Sequence, residues 1–159
     1  MNQRYLCVNH KQQLRNYPRQ AVRAWSKSYE NGQSLIAMGF AYDALAHIGC
    51  AYEAAEIVLS AKIVDTLDAV AMLTSSAATL AKLLNELGQS MESQNVIDLT
   101  IQRIEREYGD ELNLKARLQH QVQSLRYFVE EQSDDEYPLD ETEFSIFSLI
   151  TNPIPTTLH

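Results

Sequence analysis

The chain has 159 residues, of which 45% are hydrophobic and 21% are charged, and its formal net charge is −8 at pH 7. These values are typical of one globular domain that is large enough to bury a core, and the negative total disfavours nucleic acid as the main partner. The chain has only 5 glycines and 4 prolines, so its composition favours an all-α fold over a sheet.

The composition also bears on the setting of the protein. No apolar run approaches the roughly 18 residues that span a bilayer, and residues 1–15 lack the apolar core of a secretory signal. We therefore expect neither a membrane span nor a signal peptide. The two cysteines, Cys7 and Cys50, form no Cys-x-x-Cys pair, which favours a reducing cytoplasm over a disulfide framework.

Charge is distributed unevenly along the chain. Residues 1–32 carry six lysines and arginines against one glutamate, whereas residues 131–159 carry seven carboxylates and no lysine or arginine. The two ends therefore suit separate partners, or they contact each other.

Two helices are predicted in the first third of the chain, after an irregular segment over residues 1–15. Pro18 suits the first position of a helix, and Asn31-Gly32 is typical of a helix end. A second helix is predicted from about Ser34 to Ile48, and because it is apolar nearly all round we expect it to be buried. Gly39, inside this second helix, would allow a neighbouring helix to approach closely.

Two further helices are predicted after Gly49, which ends the second helix. The third runs from about Ala51 to Lys62, and the fourth from the N-cap residue Asp65 to about Leu87. Thr74-Ser75-Ser76 is a polar stretch inside the fourth helix, and it marks the place where a kink or a break would occur.

The last two predicted helices are amphipathic. Ser90 caps the fifth, whose apolar residues recur at helical spacing up to Gly109. Asp110 begins the sixth, which has one apolar face, as expected for a helix with one side in water. The residues of that face are Leu114, Leu118, Val122, Leu125 and Val129.

The C-terminal tail differs in composition from the rest of the chain. From Glu131 it is rich in Ser, Asp, Glu and Pro, and order is expected to lapse to about Pro138. Phe144, Phe147 and Ile150 then lie close on one helical face, which predicts a short amphipathic helix. Such a segment must be buried on its own domain, on a second copy in a homodimer, or on a partner.

Arg15, Arg19, Arg23 and Lys27 are spaced by four residues, so those that are helical share one basic face. This face can follow a phosphate backbone. A simpler hypothesis is that it binds the acidic stretch over residues 131–143, in the same chain or in a twofold-related copy.

Two stretches, Met38 to Ala61 and Ala77 to Thr100, share a pattern in which apolar residues lead to a glycine and small residues follow it. The two glycines, Gly49 and Gly88, are 39 residues apart, within the range typical of stacked helix pairs. The pattern resembles the tetratricopeptide repeat family of paired antiparallel helices, although the family's Trp, its Pro and its period of about 34 residues are missing. The matching residues are Ala41, Leu45, Ala54, Val58 and Ala61 in the first stretch, and Leu80, Ala81, Leu84, Ser93, Ile97 and Thr100 in the second.

The resemblance implies an antiparallel array of about six helices with a groove for a peptide or a helix. Its polar lining would include Asp43 and His47 from the first pair, and Lys82, Asn85 and Glu86 from the second. The same five residues are also consistent with an ordinary solvated face.

No strong catalytic or metal-binding motif is present, so we expect no enzyme activity, no cofactor and no metal. His47 and Cys50 lie three residues apart, but two ligands are too few for a metal, and Cys50 is better explained as a small buried residue.

Two groups of neighbouring carboxylates are candidates for acid–base pairs: Glu53 with Glu56, and Glu105 with Glu107 and Asp110. Acid–base work needs one carboxyl group in an apolar site. The helix pattern predicts that all of these groups lie in solvent.

The sequence therefore predicts three parts: an irregular segment over 1–15, an all-helical tetratricopeptide-like domain over 16–130, and an acidic linker with a short amphipathic segment over 131–159. We expect a cytoplasmic, non-enzymatic adaptor, chaperone-like or regulatory protein that binds a peptide or helix of a partner protein. The alternative is a nucleic-acid-associated regulator that uses the basic first helix.

Overall fold

A computed structural model describes residues 4–108 and 123–127. Within this part the chain forms five helices, residues 123–127 are also helical, and no strand occurs. The fold is therefore all-α, as predicted. The helices are α1 (Val8–Asn16), α2 (Pro18–Ala37), α3 (Ala41–Ala61), α4 (Thr66–Glu86) and α5 (Ser90–Tyr108).

Four helix ends lie where local chemistry predicts them. Pro18 occupies the first turn of α2, α3 ends at Ala61, and α5 begins at Ser90. The side chain of Asp65 caps α4 by accepting a hydrogen bond from the N–H of Leu67 at 3.0 Å. Each of these ends depends on one or two residues, which is why the sequence was sufficient to place them.

Helix α1 corrects the prediction of an irregular segment over residues 1–15. Its N-cap is Cys7, whose Sγ accepts a hydrogen bond from the N–H of His10 at 3.4 Å. Leu6 and Leu14 are buried in the main core cluster. The helix is otherwise polar, so its position depends on these two buried leucines and not on a periodic apolar stripe.

Three glycines have different roles from those predicted. Gly32 and Gly49 end no helix: both are buried inside helices, and a Cβ atom at either position would overlap a neighbouring side chain, Ile48 in the first case and Tyr5 in the second. The chain instead reverses at Gly39, where φ is 81°. The second and third predicted helices are therefore one helix, α3.

Two turns of the same type join α2 to α3 and α4 to α5. Each is built on a glycine with positive φ, Gly39 or Gly88, a conformation that costs other residues about 1–2 kcal/mol. Each also has the 6→1 backbone hydrogen bond of a Schellman motif. These bonds join Phe40 N–H to Leu35 O at 2.9 Å and Gln89 N–H to Leu84 O at 2.8 Å. The repeated turns are thus at Gly39 and Gly88, not at Gly49 and Gly88.

Consecutive helices pack together along the chain, α2 on α3, α3 on α4 and α4 on α5. Hydrogen bonds also connect α2 directly to α4. Trp25 Nε1 donates to Ser76 Oγ at 2.8 Å, and the hydroxyl groups of Tyr29 and Thr79 are 3.1 Å apart. Because the pairs follow the same order along both helices, α2 and α4 run in the same direction.

Helix α4 is continuous through Thr74-Ser75-Ser76, where a kink or a break was predicted. The hydroxyl of Thr74 donates to the carbonyl of Val70 at 2.9 Å, and that of Ser76 donates to the carbonyl of Met72 at 2.8 Å. The buried hydroxyl groups are therefore satisfied within the helix and do not interrupt it.

Two small residues predicted to allow close helix packing are buried. Ala54 is 0% exposed and Ser93 is 6% exposed. The Ser93 hydroxyl donates to the carbonyl of Ala81 at 2.7 Å, which ties α5 to α4. The inward orientation predicted for both residues is confirmed.

Helix α4 is long and apolar enough to cross a membrane, with a mean hydropathy of 1.3 over 18 residues. Among the described residues no other helix meets these two criteria. This corrects the expectation that no stretch approaches that length, but 67% of the window is buried inside the protein. Such burial is what a central core helix requires.

Candidate interaction surfaces and a charged pocket

Four apolar side chains are exposed beside the two Schellman turns. Met38, Phe40 and Tyr42 flank the α2–α3 turn and are 60%, 53% and 75% exposed, and Met91, just after the α4–α5 turn, is 81% exposed. We name these four residues the turn surface. Apolar side chains that stay more than half exposed are candidates for burial by a partner.

One apolar cluster places both turns at the same end of the molecule. It contains Ile36 at the end of α2, Ala41 at the start of α3, Leu84 at the end of α4 and Val96 in the first half of α5. A segment lying across this end would therefore be able to contact both turns.

The five polar residues predicted to line a groove lie on the helix turns near this end. Asp43 and His47 are in the first two turns of α3, and Lys82, Asn85 and Glu86 are in the last two turns of α4. Asp43, Lys82 and Glu86 are exposed, whereas the other two are half-buried. Asn85 accepts a hydrogen bond from Ser90 Oγ at 3.0 Å, so it stabilises the α4–α5 turn. Their role in binding stays a prediction.

The predicted basic face is divided between two helices. Arg15 lies in the last turn of α1, while Arg19, Arg23 and Lys27 follow on α2 after the chain bends at Tyr17. All four cations are exposed. The three on α2 form no ion pair with the described part of the chain.

A third feature is a cavity of about 320 Å³ between α1, the last turns of α3, and α5. We name it the charged pocket. Its lining comprises Lys11, Arg15, Glu56, Ile57, Ser60, Ala61 and Arg103.

Glu53 lies beside this pocket and is only 6% exposed, so the prediction that it lies in solvent is wrong. Its Oε2 accepts a hydrogen bond from the N–H of Leu6 at 2.7 Å, and its Oε1 is 3.5 Å from Lys11 Nζ. The buried carboxylate is thus satisfied by the N-terminal segment and holds that segment on α3.

Glu56 is half-buried on the pocket wall, which also corrects the sequence prediction. Burial raises the pKa of its carboxyl group, and the nearby cations Lys11, Arg103 and Arg15 only partly oppose this effect. The protonated form is therefore favoured more strongly here than in solvent.

Arg103 crosses from α5 to α3. Its Nη2 atom donates to Ser60 Oγ and is 3.5 Å from Glu107 Oε1. Its Nε atom is buried and has no hydrogen-bond partner among the residues that the structure describes. A buried guanidinium N–H without an acceptor is unusual in a folded protein.

The N-terminal segment also packs on the middle of α3 through Tyr5. Burial, together with the charges of Glu92 and Glu53, raises the pKa of Tyr5 to about 12. The carbonyl of Tyr5 accepts a hydrogen bond from Cys50 Sγ at 3.5 Å. Cys50 is therefore half-buried under this segment, in agreement with a packing role.

Some predicted features lie outside the described residues. Phe144, Phe147 and Ile150 are among them, as are most of the sixth helix and Asp110. Of that helix, Leu125 is described, and it is buried against α4 and α5. The side chain of Glu105 is 58% exposed, as predicted for a solvated carboxylate.

Sequence reasoning missed the charged pocket. Lys11 and Arg15 are spaced by four residues, and so are Glu56 and Ser60, so each pair lies on one helix face. No sequence signal indicates that these two faces and Arg103 meet, because the contact joins residues more than 40 positions apart.

No protein-family model, curated protein or solved structure matches this chain. The surfaces and the pocket of the molecule itself are therefore the basis for inferring its function.

Proposed function

We propose that this protein is a non-enzymatic interaction module, an adaptor or chaperone-like protein of the cytoplasm, which binds a peptide or helix of a partner protein at the turn surface. The observation that supports this proposal is the exposure of Met38, Phe40 and Tyr42 around one turn. Met and aromatic residues are enriched at protein interfaces, because they offer a large apolar area with a polar or adaptable end.

The turn surface can provide binding energy, and its polar neighbours can provide selectivity. Full burial of one large apolar side chain contributes about 1.5–3 kcal/mol, so these residues can supply a substantial part of the free energy that offsets the costs of association. Asp43, Lys82 and Glu86 are exposed near this surface, where charges select partners and orient them more than they add affinity. Antiparallel pairing of the tetratricopeptide type is consistent with this proposal and stays a prediction.

A crosslinking experiment tests the proposal directly. A photo-activatable amino acid replaces Phe40 in the full chain, and the crosslinked partner is identified, purified and titrated by calorimetry. We expect Phe40→Ser to weaken binding at least about tenfold, since it removes one large apolar contact. Leu99→Ser is the matched control, because Leu99 is 52% exposed in the middle of α5.

The comparison of the two variants separates the turn surface from the exposed side of α5. Loss of affinity in Phe40→Ser but not in Leu99→Ser supports the proposal, and equal affinity for both variants contradicts it. The melting temperature of each variant is the folding control, because substitutions of exposed side chains usually change stability by less than about 0.5 kcal/mol.

The alternative is a nucleic-acid-associated regulator, and the exposed cations on α2 favour it. Arg19, Arg23 and Lys27 are spaced by one helical turn, with no ion pair to the described residues. Three phosphate contacts predict a slope of about −2.7 in log K against log salt. Duplex DNA that binds with such a slope, lost when all three are changed to Gln, would favour this alternative.

A further inference from the structure

We propose that the charged pocket is a binding site for a small organic acid that carries a carboxylate or a phosphate group. Its volume of about 320 Å³ is at the lower end of the range for small-molecule sites, roughly 300–1,000 Å³. The floor of the pocket is apolar, because Ile57 is buried there and Ala61 lies one turn further along α3.

Three cations from two helices surround this cavity. Lys11 and Arg15 come from α1, and Arg103 comes from α5. Lys11 and Arg103 are each 3.5 Å from a carboxylate oxygen, of Glu53 and Glu107 respectively. These distances exceed those of good hydrogen bonds, so Lys11 keeps N–H groups for another acceptor, whereas Nη2 of Arg103 already donates to Ser60 Oγ.

Arg15 and the Nε atom of Arg103 point most clearly to an anionic ligand. Arg15 is exposed at the pocket edge and forms no ion pair with the described residues. Within the described residues the buried Nε atom has no acceptor. A carboxylate or phosphate matches a planar guanidinium group with two parallel hydrogen bonds.

Glu56 and Ser60 give the pocket a second type of contact. Both line the cavity on successive turns of α3. The Glu56 carboxyl can accept a hydrogen bond from a hydroxyl group or an amine of the ligand, while the cations hold its acid group. The structure therefore favours a hydroxylated or amino-substituted acid over a plain one.

The charged pocket is separate from the turn surface. Tyr42 and Glu56 are 14 residues apart on α3, which corresponds to roughly 21 Å along the helix. A variant in the pocket is therefore expected to leave partner binding at Phe40 unchanged, so the two proposals can fail independently.

Titration of the full chain with three probes tests the site. Malate, succinate and inorganic phosphate are added at low salt, and binding is followed by calorimetry and by amide chemical shifts. We expect saturable binding, and we expect malate to bind more tightly than succinate. Only malate has a hydroxyl group that can donate a hydrogen bond to the Glu56 carboxyl. Saturable binding of phosphate with no binding of either carboxylic acid would place the ligand in the phosphate class.

Matched variants decide whether the binding occurs in this pocket. Arg15→Gln should weaken binding about tenfold, as expected for loss of one charge-assisted contact, and Arg103→Gln should weaken it at least as much. Arg23→Gln, an exposed cation on α2, is the control and should have no effect. Absence of saturable binding by all three probes, or equal binding by the Arg15 and Arg23 variants, overturns the proposal.

Discussion

The partly buried carboxylate of Glu56 lowers the free energy of unfolding at neutral pH, because its charged form is disfavoured in the folded protein. Burial raises its pKa, and Glu53 adds to this, while Lys11, Arg103 and Arg15 lower it. A raised folded-state pKa favours the protonated form in the folded protein. The resulting stabilisation is complete below the unfolded-state pKa and is lost as the pH rises through the folded-state pKa.

We therefore expect Glu56→Gln to be more stable than the natural chain at pH 7. Gln has no charge to desolvate, so the melting temperature should be higher. The difference should shrink as the pH falls through the raised folded-state pKa and disappear near pH 4, where Glu becomes protonated in both states. Thermal unfolding from pH 4 to pH 8 measures the difference in melting temperature between the variant and the natural chain. Glu86→Gln is the control, because Glu86 is exposed on α4. A lower melting temperature at pH 7 would contradict the prediction.

Gly49 and Tyr5 provide a second prediction at the residue scale. A Cβ atom at position 49 would overlap the Tyr5 ring, so Gly49→Ala should destabilise the protein by about 1–3 kcal/mol. In a Tyr5→Ala background the space is free, and the same change should stabilise by up to about 1 kcal/mol, because Ala is the better helix former. Urea unfolding of the natural chain, the two single variants and the double variant measures this reversal of sign. An equal effect of Gly49→Ala in both backgrounds would exclude the packing explanation.

At the scale of the element, α4 combines an apolar surface with hydroxyl groups that bind its neighbour α2. Ser76 Oγ accepts the hydrogen bond of Trp25 Nε1 at 2.8 Å. Ser76→Ala leaves this N–H without an acceptor, so we expect a loss of about 1–3 kcal/mol in the free energy of unfolding. Ser34→Ala is the control, because the hydroxyl of this exposed serine of α2 donates to the carbonyl of Glu30 within its own helix. A loss equal to that of the control would show that the bond contributes nothing.

At the scale of the whole molecule, three exposed cations on α2 and an acidic C-terminal tail belong to the same chain. The seven carboxylates of residues 131–159 match Arg19, Arg23 and Lys27 in sign. We predict that a chain ending at residue 130 has a lower melting temperature, and that the difference is smaller in roughly 1 M salt, where charges are screened within about 3 Å.

A second variant separates the apolar residues of the tail from its charges: the full chain with Phe144, Phe147 and Ile150 all changed to Ser. This variant should lose most of the stability that the deletion loses, because exposed ion pairs contribute only about 0–1 kcal/mol each. An unchanged melting temperature and oligomeric state after deletion would contradict docking of the tail.

The all-α fold, the starts of α2, α4 and α5, and the end of α3 could be predicted from the sequence alone. Pro18 and Asp65 act through their own backbone or side chain within one helical turn, so no distant residue changes the result. The burial of Ala54 also follows from local periodicity.

The tertiary structure alone decided which glycines are turns and which carboxylates are buried. Gly32 and Gly49 are helical and pack directly against Ile48 and Tyr5 in the space that a Cβ atom would need, whereas Gly39 has a positive φ and reverses the chain. Glu53 is buried because a segment more than 40 residues away covers it and satisfies its charge. Contacts of this kind form between residues that are far apart along the chain, and a local sequence pattern contains no information about them.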